Sequence, residues 1–127
     1  MLTPFNGIRE VIRKLSKKAV IYIITSNLTS VIEDSIQFHK IKGVQRVIGG
    51  DKEFSKVKKI LAVKKIHPKA VFYYIGDTVG DILEAKKADV KAVAVTWGYH
   101  SRKMLEKVKP DYIVDTPKEL LKVLLKA

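Results

Sequence analysis

Residues Phe72 to Asp81 read FYYIGDTVGD, an apolar run that ends in a glycine and two aspartates four positions apart. Gly76 lets the chain turn tightly, Asp77 then points out of a strand end, and Asp81 returns toward the same point from the first helical turn. A carboxylate at the end of a buried strand is poorly solvated unless a cation shares it, so the pair suggests a divalent metal or a phosphate-handling centre. Thr78-x-x-Asp81 also reads as a capping box, with Asp in place of the usual Glu. That reading accounts for Asp81 and leaves Asp77 without a purpose.

Outward from this stretch the chain alternates between two periodicities. Ile8, Val11, Ile12 and Leu15 recur at helical spacing, and Ala19 to Ile24 (AVIYII) is then a continuous apolar run rich in β-branched residues. Val31, Ile32 and Ile36 predict a second helix closed by Gly43, with a strand at Val44 to Ile48. Val57, Ile60, Leu61 and Ile66 mark a third helix that stops near His67-Pro68, before a strand from Ala70 to Ile75. A fourth helix from Val79 leads to a strand at Ala92 to Thr96. Met104 and Leu105, a short strand at Tyr112 to Val114 and a last helix through Leu120 to Leu124 complete the pattern. Strands apolar on both faces and separated by single helices predict a doubly wound α/β fold with a mostly parallel sheet.

In such sheets ligands bind beyond the carboxyl ends of the strands. Those positions hold Thr25-Ser26-Asn27, Gly49-Gly50-Asp51, Gly76-Asp77 and Trp97-Gly98. Thr25, Ser26 and Asn27 offer two hydroxyls and an amide where a strand hands over to a helix, a turn able to hold phosphate; equally, all three residue types are ordinary helix caps. Lys56 opens the third helix and could offset phosphate charge, although Lys52 or Lys59 could be argued instead and a solvated surface lysine is the commoner case. Gly49-Gly50 is not followed by the Gly-Lys-Ser/Thr ending of a nucleotide loop. His39, His67 and His100 lie in different units without metal-ligand spacing and read as surface or packing residues.

Composition bounds the function. At 127 residues and 46% hydrophobic content the chain is expected to be a single soluble domain spanning 1–127. No basic leader opens it and its longest apolar run is too short for a bilayer, so a cytoplasmic protein without membrane attachment is expected. With no cysteine, a metal would be held by oxygen or imidazole, and a hard cation such as magnesium fits best. The net charge of +12 favours anionic partners. Its lysines fall between apolar positions as solvated faces, without the arginine and aromatic clustering of a nucleic-acid reader, so nucleic-acid binding is the third-ranked reading.

Together these residues resemble the haloacid dehalogenase superfamily, within it the phosphoglycolate-phosphatase-like branch. IYIITSN is similar to the family's second motif, placing it at Thr25; FSK resembles the third, at Lys56; YYIGDTVGD resembles the fourth, at Asp77 and Asp81. VTWGYHS and DYIVDTPKELL are similar to the branch's closing segments. The resemblance implies a Rossmannoid core and a magnesium-dependent phosphomonoester hydrolase acting on a small phosphorylated substrate. Thr25 would hold the phosphoryl oxygens with Ser26 and Asn27, Lys56 would offset charge, and Asp77 supported by Asp81 would ligate magnesium.

The family's first motif, a DxDGT strand that carries the nucleophile, and the helical cap are not in these residues; no DxD occurs anywhere in them. Asp89 stands where the branch usually has glycine, a position whose left-handed backbone Asp tolerates. Without its central first strand, the strands carrying Thr25 and Asp77 are expected to pair directly, or to receive a strand from a partner chain or a second copy, because buried unpaired edges are costly. Catalysis by this chain alone is doubtful on this reading. The alternative is a non-catalytic phosphate-binding, regulatory or oligomerising module that keeps the fold.

Overall fold

The computed structural model describes residues 7–53 and 55–126. In chain order these form α1 (Ile8–Leu15), β1 (Ile21–Ile24), α2 (Thr29–Phe38), β2 (Val44–Ile48), α3 (Lys56–Ile66), β3 (Tyr73–Gly76), α4 (Val79–Lys87), β4 (Lys91–Val95), α5 (Arg102–Glu106), β5 (Tyr112–Val114) and α6 (Pro117–Leu125). Every helix and strand expected from periodicity is present, and every strand pair is parallel, β1 with β2 and β3 with β4 with β5. This is the α/β fold predicted from the alternation.

The chain forms two compact units, one built from the chain up to Lys56 together with α6, the other from Val57–Thr116. In the first, α1 packs on α6, and Val11, Leu15, Ile32, Val47, Ile48 and Leu120 are buried. In the second, Ile82, Ala85, Ala92, Ala94 and Leu105 are fully buried, with Tyr74, Val90, Val108 and Ile113 packed around them. The alanines let α4 lie close on the sheet, so a small core still reaches close packing.

Among the described residues the Thr25 and Asp77 strands are not paired: β1 is bonded to β2, and β3 to β4. The burial pattern follows. β4, paired on both edges, is buried from Ala92 to Val95, whereas β1 is half-buried throughout and Ile75 of β3 is 40% exposed.

Local signals correct two boundaries. α2 is closed by Lys40, not Gly43: Lys40 takes the left-handed conformation at φ 55, and the Ile41 N–H bonds back to the Ile36 carbonyl. Gly43 serves a different need, since it has φ 105 and a Cβ there would lie 2.6 Å from Ser16. β3 starts at Tyr73 rather than Ala70, because the Ala70 N–H closes a turn onto the His67 carbonyl and leaves Val71 exposed. Asp89 adopts the left-handed conformation expected of it, at φ 56, with the Val90 N–H bonded to the Ala85 carbonyl. The same helix end receives Lys64, whose Nζ donates to the carbonyls of Ala88 (3.0 Å) and Asp89 (3.2 Å).

Candidate functional site

In the first unit, β1 and β2 end side by side, with Ile24 opposite Ile48, so the turns after them face each other. The Thr25 hydroxyl accepts the Asn27 N–H at 3.1 Å, and the Asn27 carbonyl accepts the Gly50 N–H at 2.8 Å. Neither Thr25, Ser26 nor Asn27 caps α2, whose N-cap is Leu28 without a side-chain bond. Asp51 does that work: its Oδ1 accepts the Thr29 N–H at 2.7 Å and the Thr29 hydroxyl at 2.8 Å, while Thr29 Oγ1 accepts the Gly49 N–H at 3.0 Å. These bonds from Thr29 hold the Asp51 carboxyl below its usual range. The capping reading of Thr25-Ser26-Asn27 is therefore replaced, and the side chains of Ser26 and Asn27 are exposed at the strand ends. Lys56 is the first residue of α3 and half-buried.

In the second unit the capping box at Thr78 and Asp81 forms in full. The Asp81 N–H donates to Thr78 Oγ1 at 3.0 Å, and Asp81 Oδ2 accepts the N–H groups of Asp77 and Thr78, each at 3.2 Å. Asp81 is 6% exposed and lies against Gly76, where a Cβ would come within 2.3 Å of the Asp81 Cβ. Asp77 is bound from the other side by the loop after β4: the Tyr99 N–H donates to Asp77 Oδ2 at 2.9 Å, and the His100 N–H to its carbonyl at 3.1 Å. A Cβ on Gly98 would fall 2.2 Å from Asp77 Oδ2, so this approach requires glycine. His100 Nδ1 in turn accepts the Val79 N–H at 2.9 Å.

Asp81 thus reaches the backbone of Asp77 at the end of β3, and the described side-chain bonds of each aspartate fall on one oxygen. Beneath them Tyr74 has its phenol pushed well up, first by burial and then by the charges of Asp81, Glu84 and Asp77. No group of three or more His, Cys, Asp or Glu suited to a metal occurs among the described residues. Two carboxylates fit magnesium, which keeps several waters and takes one or two protein carboxylates rather than a full cage.

Residue reading places Asp51 at a strand end, takes His100 as a surface or packing residue and keeps Lys59 as an alternative to Lys56, but does not show what any of them touches. Asp51 and His100 act across more than 20 residues of chain, and the only signal was their place just beyond strand ends. Lys59 is fully buried in α3, and no buried side-chain nitrogen or oxygen among the described residues lacks a partner. Its helical position beside Ile60 and Val63 was the available signal.

Parallel strands joined by helices, in both units, are the elements of a Rossmannoid α/β fold. The chain belongs to the haloacid dehalogenase-like hydrolase family, whose model matches residues 1–95. It is 31% identical over 125 residues to the phosphoglycolate phosphatase of Synechococcus elongatus, covering 94% of this chain and 58% of that protein. Against the pyrophosphatase PpaX of Bacillus mycoides it is 26% identical, covering 98% of this chain and 61% of the relative. A haloacid dehalogenase-like hydrolase structure from Streptococcus pneumoniae matches with a TM-score of 0.84 at 29% identity, over 94% of this chain and 59% of that one. The chain therefore spans about three fifths of the length of the relatives it matches. No helix among the described residues is long and apolar enough to cross a membrane.

Proposed function

We propose that this chain is the core of a magnesium-dependent phosphatase for small phosphomonoesters, of the phosphoglycolate-phosphatase-like kind. Asp77 and Asp81 hold the metal; Thr25, Ser26, Asn27 and Lys56 hold and neutralise the phosphoryl group. Magnesium held by Asp77 and Asp81 would supply Lewis-acid charge stabilisation. The observation that carries this reading is the Asp77 carboxylate, fixed through Oδ2 by the Tyr99 N–H at 2.9 Å, with Gly98 admitting the close approach.

No DxD pair lies in the 127 residues, so the nucleophile comes from a strand outside them. β1 and β3 each have one described strand neighbour; a second copy of this chain would carry no DxD either, so the nucleophile strand would have to be supplied by a different chain or segment. The experiment is a phosphatase assay with magnesium, run on the chain alone and with a DxDGT-bearing segment added. Turnover only in the mixture, abolished by Asp77→Asn, is expected. Turnover that survives Asp77→Asn overturns the assignment.

The absence of a nucleophile also favours a second reading, a non-catalytic phosphate-binding, regulatory or oligomerising module. Phosphate binding that persists while no added strand restores turnover would select it. Retention on nucleic acid with steep salt dependence would select the third, which rests on the +12 charge.

A further inference from the structure

The loop after β4 touches the α4 start through backbone groups at Tyr99 and His100 and through the His100 side chain. Its Nδ1 accepts the Val79 N–H at 2.9 Å, its own N–H reaches the Asp77 carbonyl at 3.1 Å, and the neighbouring Tyr99 N–H reaches Asp77 Oδ2 at 2.9 Å. With Thr78 Oγ1 on the Asp81 N–H and Asp81 Oδ2 on those of Asp77 and Thr78, His100 completes the set of side-chain acceptors around the first turn of α4.

We propose that His100 is a positioning residue that clamps the Trp97–Ser101 loop onto α4 and so fixes which oxygen of Asp77 faces outward. The inference rests on the reading of Asp77 as a metal ligand and goes beyond it. The Tyr99 amide is a weak tether by itself: Tyr99 is 83% exposed, and Gly98 beside it leaves the backbone free to swing. Anchored one residue later at both its N–H and its ring, the loop holds the Tyr99 N–H on Oδ2, and Asp77 keeps a single rotamer with Oδ1 presented. Outer-shell groups of this kind set the affinity of the ligand they orient.

The test uses His100→Ala and His100→Asn, the latter retaining a side-chain acceptor near the Nδ1 position. Amide hydrogen exchange is measured at Val79 and Tyr99, with Ile82 and Ala92 reporting the core, and magnesium is titrated against the fluorescence of Trp97, the one tryptophan. In His100→Ala, exchange at Val79 and Tyr99 rises while Ile82 and Ala92 hold, and the magnesium midpoint weakens by about 10-fold or more. His100→Asn restores both toward the parent values. Unchanged Tyr99 protection in His100→Ala, or His100→Asn behaving as Ala does, overturns the clamp. A parent chain with no magnesium response refutes the metal reading instead, and exchange at Tyr99 still decides the clamp.

Discussion

Asp51 holds Thr29 twice, accepting its backbone N–H at 2.7 Å and its hydroxyl at 2.8 Å, and thereby supplies α2 with the cap that its own N-terminal residues lack. The bond ties the loop after β2 to the turn that carries Thr25. A carboxylate at a helix N-terminus also meets the positive end of the dipole.

Asp51→Ala is therefore expected to lower the melting temperature at neutral pH. Because the folded carboxyl is held below its ordinary value, its contribution is present above the unfolded pKa and fades as pH falls through the folded one. The difference in melting temperature between parent and variant should shrink in acid, below about pH 4. A difference independent of pH would show that the charge has no part in the cap.

Gly98 and Gly76 yield a paired prediction. An alanine Cβ at position 98 would sit 2.2 Å from Asp77 Oδ2, and one at position 76 would sit 2.3 Å from the Asp81 Cβ. The first clash falls on a half-buried strand-end side chain, the second on a buried one. Gly98→Ala should displace Asp77 and weaken the magnesium response, and should also cost stability, because the new Cβ would lie 2.3 Å from the Asp77 Cβ, which cannot swing aside. Gly76→Ala should lose about 1–3 kcal/mol of stability through overpacking. Denaturant melts and magnesium titrations on both variants separate the effects.

Tyr74 offers a spectroscopic check on the acidic cluster. Burial, and then the charges of Asp81, Glu84 and Asp77, disfavour its phenolate, so its folded pKa lies above that of the unfolded chain. The sign is that of a neutral acid kept neutral: its contribution to stability is full below about pH 10 and is lost as pH rises toward the folded value. Alkaline ultraviolet titration should show one tyrosine ionising only with unfolding, and Tyr74→Phe should remove that late step.

Much of this was legible because strand and helix periods alternate cleanly, as in AVIYII and FYYIGDTVGD, and because a Gly-Asp turn at a strand end has few purposes. What sequence spacing hid were bonds closed by the fold: Asp51 on Thr29 and His100 on Val79 join segments that meet only when parallel strands align. Lys40 closing α2 was hidden for a different reason. Lysine rarely takes positive φ, and a glycine three residues later was the stronger local signal.

Lys56 and Lys59 divide the roles that one lysine was expected to fill. Lys56, at the first position of α3, is half-buried, whereas Lys59 is fully buried one turn further on, with its ammonium satisfied. Truncating a buried, satisfied polar side chain leaves its partner without a hydrogen bond and costs about 1–3 kcal/mol. Lys59→Ala should therefore unfold at markedly lower denaturant, while Lys56→Ala should keep its midpoint and lose phosphate affinity. Chemical denaturation together with phosphate titration checks both. Equal midpoints for the two variants would show that the burial of Lys59 carries no stability, and unchanged phosphate binding in Lys56→Ala would remove Lys56 from the site.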